Sequence, residues 1–465
     1  MNIVFKTIKT PNSFYLYDRN KNHIVRLNET EYVELLDVEK SAKNIEDFTS
    51  LKKFQDAGFL LESQLETIKN PVTSHTPHIV NHHRDQLVLQ VTQRCNLRCG
   101  YCIYSEKGEY HNRTHSDKDM SIEMAEKSID EYFKASEESK ERVIAFYGGE
   151  PLLKFDLVKH CVQYAKKRSA DKEVKFVMTC NGTLLTLEIA KFLADVDFDL
   201  LISLDGSREE HNEYRKFANG KGSFDTIMSN LTVIKKELPE YYKKISFNTV
   251  LNPKHKYENI KDYFQNDEIV ADAAVMHTLV AENDDGSNMN FTKEFKRSRS
   301  YDYSMLLLHM LERLDISYVS KFHQTYKAVL IKKHEQLTSG GGIGSVNHHS
   351  GPCVPGGRRV FVNVHGDLYP CERVSESCVD EKIGNLDEGI DLKKVDKLLN
   401  IGTLSENECK KCWAFMHCDM CCKAAENGAE LCRNAKLKHC KNSKSTAYSD
   451  LQEICLLREL GCIFD

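Results

Sequence analysis

Cys95, Cys99 and Cys102 stand in the run Val91-Thr-Gln-Arg-Cys-Asn-Leu-Arg-Cys-Gly-Tyr-Cys102, a CxxxCxxC spacing directly after the apolar, strand-like stretch Leu87 to Val91. Three thiolates on one short loop can hold three corners of a cubane iron–sulfur cluster, whereas a closed site uses four cysteines, so one iron is left for something other than protein. An open iron means chemistry. The same cysteines with a distant fourth ligand would instead make a closed structural zinc site.

The chain has 465 residues, which predicts two or three domains and ample length for a deep buried site. Its formal net charge of -5, with Lys and Arg interspersed among Asp and Glu, argues against a nucleic-acid partner. No apolar run approaches about 18 residues, and the start, Met1 to Lys9, lacks the apolar core of a signal peptide, so a cytoplasmic protein with no membrane partner is expected. In a reducing cytosol 17 cysteines are better explained by metal ligation than by disulfides. Three lie in the loop above, Cys161 and Cys180 are alone, and the rest fall between Cys353 and Cys462, which points to a separate metal-rich C-terminal domain.

Ser13 to Asp18 and His23 to Leu27 alternate as two strands around Arg19-Asn-Lys-Asn22. Asn28, with Glu31 as capping-box partner, predicts a helix start; a second helical segment runs from Ile45 until Gly58 stops it. The unit, 1–66, reads as a small winged-helix-like domain, either a cap on the main domain or a holder of extended peptide along its strand edge. A stretch with two prolines and four histidines, Lys69 to Arg84, reads as linker (67–85). From Gln86 to His277, six apolar runs (Leu87 to Val91, Val143 to Tyr147, Val174 to Cys180, Leu200 to Leu204, Ile245 to Leu251, Ala273 to His277) alternate with amphipathic stretches such as Ile122 to Phe133, Leu157 to Lys167 and Phe224 to Lys236. That predicts an α/β fold of parallel βα units over 86–335, an open partial barrel or a doubly wound sheet, with ligand at the C-terminal strand ends. Residues 336–465 form the third part. The glycine-rich bridge Thr338 to His349 lacks the Lys of a phosphate loop, and its paired histidines are expected to face solvent.

Groups suited to a charged nucleotide follow the strands. Phe146-Tyr-Gly-Gly-Glu-Pro151 offers close backbone approach at Gly148 and Gly149 and a carboxylate, Glu150, for an ammonium. Thr179-Cys-Asn-Gly-Thr183 offers the Asn181 carboxamide, Ser203-Leu-Asp-Gly206 places Ser203 and Asp205 on one face, and Arg215 could clamp a carboxylate. Singly, each reads as an ordinary turn or surface residue; together they converge on one mouth.

The run Cys95xxxCys99xTyr101Cys102, then Gly-Gly-Glu-Pro, Asn-Gly-Thr and Ser-Leu-Asp-Gly, resembles the radical S-adenosylmethionine (SAM) superfamily across Gln86 to Val280. The resemblance implies a partial (β/α)6 barrel with a 4Fe–4S cluster on Cys95, Cys99 and Cys102, whose open iron takes the amino and carboxylate groups of S-adenosylmethionine. It implies Tyr101 beside the adenine, Gly148 to Glu150 at the amino group, Asn181, Ser203 and Asp205 at the ribose, and Arg215 at the carboxylate. Cys180 departs from the pattern, since a Thr commonly stands there. The later cysteines are similar to the SPASM domain of radical SAM peptide maturases, which implies two auxiliary 4Fe–4S clusters. The first would take Cys353, Cys371 and Cys422, with Cys378, Cys421, a residue outside the pattern or an open iron completing it. The second would take Cys409, Cys412, Cys418 and Cys440, with Cys432 competing for the last place; two zinc ribbons are the other reading. Glu372, next to Cys371, is a candidate base. The implied activity is an oxidoreductase of sactipeptide or ranthipeptide type, forming Cys thioether crosslinks in a ribosomally made precursor peptide bound by its leader. Ferredoxin or flavodoxin would be the electron donor. The alternatives are an anaerobic sulfatase maturase and, from another class, a non-catalytic iron–sulfur carrier or regulator.

Overall fold

A computed structural model of the protein describes residues 3–41, 43–102, 115–169, 172–280, 291–338 and 341–464. Strands β1 (Phe5–Lys9), β2 (Phe14–Asp18) and β3 (His23–Leu27) form an antiparallel sheet with β1 and β3 at its edges. The expected hairpin is β2–β3; β1 is additional. Asn28 and Glu31 form the reciprocal cap of helix Glu29–Ser41, with Glu31 N donating to Asn28 Oδ1 at 2.9 Å and Asn28 N to Glu31 Oε2 at 3.0 Å. The next segment breaks into two single turns, Ile45–Asp47 and Thr49–Leu51, before helix Lys52–Asp56. Phe5, Leu16, Leu27, Leu35, Leu51 and Phe54 are buried together as a small core. The opposite sheet face carries Ile8, Tyr17 and Ile24 onto Leu451 and Ile454 of the terminal helix Cys440–Glu459, so this unit is seated on the rest of the chain.

The stretch read as linker is ordered. Pro71 and Pro77 occupy first-turn positions, where a missing N–H costs nothing, so they start the turn Pro71–His75 and the helix Thr76–His82 rather than interrupt them. Before it, β4 (Thr67–Ile68) pairs with a segment far along the chain.

Strands β5 (Gln86–Thr92), β6 (Arg142–Gly148), β7 (Val174–Cys180), β8 (Asp199–Ser203), β9 (Ser246–Leu251) and β10 (Val275–Leu279) each pair in parallel with the next in chain order. A doubly wound sheet reverses its order at a switch point, so this unbroken order is that of a partly open α/β barrel. Helices Ile122–Ala135, Phe155–Arg168, Leu187–Asp195 and Phe224–Glu237 bury Ile129, Tyr132, Val158, Leu193, Ile227 and Leu231 against the barrel strands.

The cysteine-rich C-terminal third shares the barrel's sheet, contrary to the expected separation. After β11 (Val346–Asn347), the partner of β4, strand β12 (Arg359–Val362) lies parallel beside β5. Strands β13 (Asp367–Tyr369), β14 (Gly384–Asn385) and β15 (Gly389–Ile390) then extend the same sheet antiparallel, to ten strands. Among the described residues no helix is long and apolar enough to cross a membrane.

Candidate active site

The cysteine loop leaves β5 at Thr92 and is held from below by the end of β6. Gly149 N donates to Thr92 O at 2.9 Å and Glu150 N to Arg94 O at 2.8 Å. A Cβ on Gly148, at φ +147°, would stand 2.2 Å from Thr92 O, and one on Gly149 2.1 Å from Arg94 O. The paired glycines therefore give their close approach to the stem of the cysteine loop. Burial pushes the Cys95 and Cys99 thiols up to about 12 and about 11, with Arg215 opposing it at Cys99. Such thiols are stable as thiolates only beside a metal centre or a strong cation.

Glu150 is 1% exposed, and its carboxylate accepts from Asn181 N at 2.7 Å and Leu152 N at 3.1 Å. Burial outweighs these donors and raises it to about 7. The Asn181 carboxamide is turned inward: Nδ2 donates to Asn96 Oδ1 at 2.8 Å, and Oδ1 accepts from Thr183 N and Oγ1 at 2.9 and 2.6 Å. It locks the turn after β7 to the cysteine loop. Ser203, the last residue of β8, is buried at the same end of the sheet.

Asp205 is a hub. Its Oδ1 accepts from Val250 N at 3.0 Å, and its Oδ2 accepts from Arg215 Nε at 2.8 Å and from the Tyr101 hydroxyl. Arg215 is buried rather than solvated, lies 5.4 Å from the Tyr101 ring centroid and hydrogen-bonds Cys99. His211, overlooked in the sequence, is fully buried beneath the hub: Nδ1 accepts from Asp205 N at 3.3 Å, Nε2 faces Ser223 Oγ at 2.9 Å, and burial holds it neutral, its value lowered to about 3. The spacing His211-xxx-Arg215, one helical turn on Arg208–Tyr214, was the available signal.

The later cysteines gather in two sets. Cys371 feels the charges of Cys353 and Cys421, Cys353 that of Cys421, and Cys422 those of Cys421 and Cys371. A hydrogen bond with Cys422 holds Cys421 well below the usual thiol range. Cys421 thus stands beside Cys353, Cys371 and Cys422, while Cys378 is buried in the main apolar core. Cys409, Cys412, Cys418 and Cys440 line one cavity. Cys432 instead caps helix Arg433–Lys438, its Sγ accepting from Ala435 N at 3.5 Å, so Cys440 is the fourth member. Glu372 is held by Arg359, whose Nη1 donates to both its oxygens at 2.7 and 2.8 Å. His348 and His349, expected in solvent, are buried, because β4–β11 pairing draws their segment inward; of the glycine-rich bridge, Ser339 and Gly340 lie outside the described residues.

Among the described residues only His78, His83 and Glu138 bring their ligand atoms all within 4.8 Å of one another. The cysteine sets are wider than one zinc ion can bridge with bonds of about 2.3 Å. Thiolates are the donor type that iron–sulfur centres take.

A family model described as Radical SAM superfamily matches residues 89–265, the segment that carries the cysteine loop and every barrel group above. The chain carries a radical SAM superfamily domain. The serine-type anaerobic sulfatase-maturating enzyme of Bacteroides thetaiotaomicron is 25% identical over 343 residues, 72% of this chain and 81% of the relative. The radical SAM cyclopropyl synthase TigE of Paramaledivibacter caminithermalis is 22% identical over 395 residues, 81% of this chain and 76% of the relative. Among solved structures, native anSMEcpe with bound AdoMet and Kp18Cys peptide matches with a TM-score of 0.56 at 20% identity, covering 80% of this chain and 99% of that one, a likeness of fold. A radical SAM domain implies a 4Fe–4S cluster and S-adenosylmethionine as cofactors.

Proposed function

We propose that this chain is a radical SAM enzyme that oxidises a Ser or Cys side chain of a peptide or protein to formylglycine, as an anaerobic sulfatase maturase. The relative of that activity, matched over 81% of its length, carries the reading ahead of thioether formation. The first C-terminal set supports it: with Cys421 beside Cys353, Cys371 and Cys422, four thiols are available and no iron need stay open to take a substrate thiolate.

Cys95, Cys99 and Cys102 would hold the reactive cluster, Cys353, Cys371, Cys421 and Cys422 a first auxiliary cluster, and Cys409, Cys412, Cys418 and Cys440 a second. The bound cofactors supply one electron and a 5′-deoxyadenosyl radical that takes hydrogen from carbon. The chain's residues position and shield. Glu150, when ionised, would accept hydrogen bonds from the amino group of S-adenosylmethionine, and Arg215, oriented by Asp205, presents its remaining N–H groups beside Cys99, where a carboxylate is expected. Loss of an electron and a proton after hydrogen removal would complete the two-electron oxidation, giving the aldehyde directly from Ser and, from Cys, a thioaldehyde that water hydrolyses with release of sulfide. The C-terminal cysteine sets would hold centres able to take that electron, with a ferredoxin- or flavodoxin-like partner as electron carrier.

One observation favours a second reading, modification of a ribosomally made peptide. The three-stranded N-terminal sheet ends in the edge strand β3, suited to an added peptide strand. Anaerobic incubation of reconstituted protein with S-adenosylmethionine, reductant and a sulfatase peptide bearing Ser or Cys should yield 5′-deoxyadenosine and an aldehyde trapped by a hydrazine. No aldehyde, but a crosslink in a cysteine-rich peptide encoded beside this gene, would select the second reading. Absence of 5′-deoxyadenosine with either peptide removes both.

A further inference from the structure

Two adjacent histidines behind the second C-terminal cysteine set have opposite hydrogen-bonding states. His348 is satisfied at both ring nitrogens: Gly402 N donates to Nε2 at 2.8 Å, which leaves Nδ1 to carry the proton and donate to His349 O at 2.9 Å. Gly402 is required there, since a Cβ would stand 2.6 Å from His348 Nε2. The arrangement fixes the His349 backbone. Its ring packs edge-on against Phe415, with centroids 6.2 Å apart, and is 1% exposed. Neither His349 ring nitrogen has a hydrogen-bond partner among the described residues, and the side chain lines the cavity of Cys409, Cys412, Cys418 and Cys440.

A buried imidazole always carries at least one N–H, and buried donors are almost always paired. With four thiols already facing that cavity, His349 is not needed as an iron ligand. We infer that His349 donates an N–H···S hydrogen bond to the second auxiliary iron–sulfur cluster and raises its reduction potential. The bond favours the reduced form because reduction adds negative charge to the sulfurs that accept it. Lys436 assists from another side: fully buried, it donates to Ser405 Oγ at 2.8 Å and approaches Cys409 Sγ at 3.6 Å. Lys436 supplies a charge, His349 a directed neutral donor. The inference rests on the proposal that Cys409, Cys412, Cys418 and Cys440 hold a cluster.

The test is an EPR-monitored redox titration of reconstituted full-length protein beside His349→Phe and His349→Gln, with iron and sulfide counted per chain. The expected result is unchanged iron in both variants, one midpoint potential shifted downward in His349→Phe with the others unmoved, and a smaller shift in His349→Gln, whose amide still donates. Unmoved midpoints at full iron content overturn the role of His349. Loss of one cluster's iron in both variants also overturns it, by making the ring a ligand. Failure of the underlying reading looks different: the unaltered chain would itself bind too little iron for a cluster on this set, and replacing Cys418 would remove none.

Discussion

Burial outweighs the two backbone donors of Glu150 and raises it to about 7. If its ionised form accepts the hydrogen bonds of the amino group of S-adenosylmethionine, affinity must rise with pH through that value. Between pH 6 and pH 8 the ionised fraction grows roughly tenfold, so Kd, measured by anaerobic calorimetry on reconstituted protein, should fall by about that factor and stay flat in Glu150→Gln. A raised carboxylate also binds more protons folded than unfolded, so this group's contribution to stability is present at acid pH and lost as pH climbs towards 7. Gly149→Ala tests the neighbouring position. Its methyl would meet Arg94 O at 2.1 Å, backbone against backbone, so the stem of the cysteine loop must move. The variant should lose about 1–3 kcal/mol and bind about four fewer irons per chain. The Gly-Gly-Glu motif was legible in the sequence. What the glycines touch was not, because that depends on the register of β6 against β5, a tertiary fact.

At the level of the element, the helix Arg208–Tyr214 shows why single-residue readings undervalued this site. An isolated Arg on an amphipathic segment is usually solvated. Here the helix carries His211 beneath the Asp205 backbone N–H, and the residue after its last turn, Arg215, closes on the Asp205 carboxylate. The Asp205–Arg215 pair is 5% and 9% exposed at its side chains, so Asp205→Ala leaves a buried guanidinium without its counter-charge. Its loss should cost roughly 3–5 kcal/mol. The solvated pair Arg208–Asp225, broken by Asp225→Ala, should cost at most about 1 kcal/mol. Urea midpoints compared at equal slope decide the ranking. A helix start was readable where the cap is local, as at Asn28 with Glu31. The segment before β5 was missed because proline was weighed as a breaker, although at a first turn it initiates.

Across the whole molecule, the succession of parallel βα units was readable because each buries its own apolar run, while the residue pattern left their order open between a partial barrel and a doubly wound sheet. The joins between parts were not readable. The sheet crosses from barrel to C-terminal region through β12 against β5, a pairing of residues more than 270 positions apart that no local pattern encodes. The N-terminal unit is tied in as firmly. Tyr15 donates to Glu459 at 2.7 Å, Gln452 donates to Lys9 O at 2.6 Å, and Arg19, wholly buried, donates to Lys410 O at 2.5 Å and to Ser63 Oγ. Lys410 directly follows Cys409, so a side chain of the β2–β3 turn braces a proposed ligand of the second auxiliary cluster. Arg19→Met keeps much of the volume and removes the donors, leaving the half-buried Lys410 O and Ser63 Oγ without them, which should cost about 1 kcal/mol. Because the brace bears on one cysteine set, the damage should be local. On challenge with an iron chelator, the variant should release about four irons per chain well before the unaltered protein does, while 5′-deoxyadenosine formation, which needs only the cluster on the Cys95 loop, persists. Simultaneous loss of iron and 5′-deoxyadenosine formation would instead mean that the N-terminal unit stabilises the molecule globally, and that Arg19 has no particular bearing on Cys409.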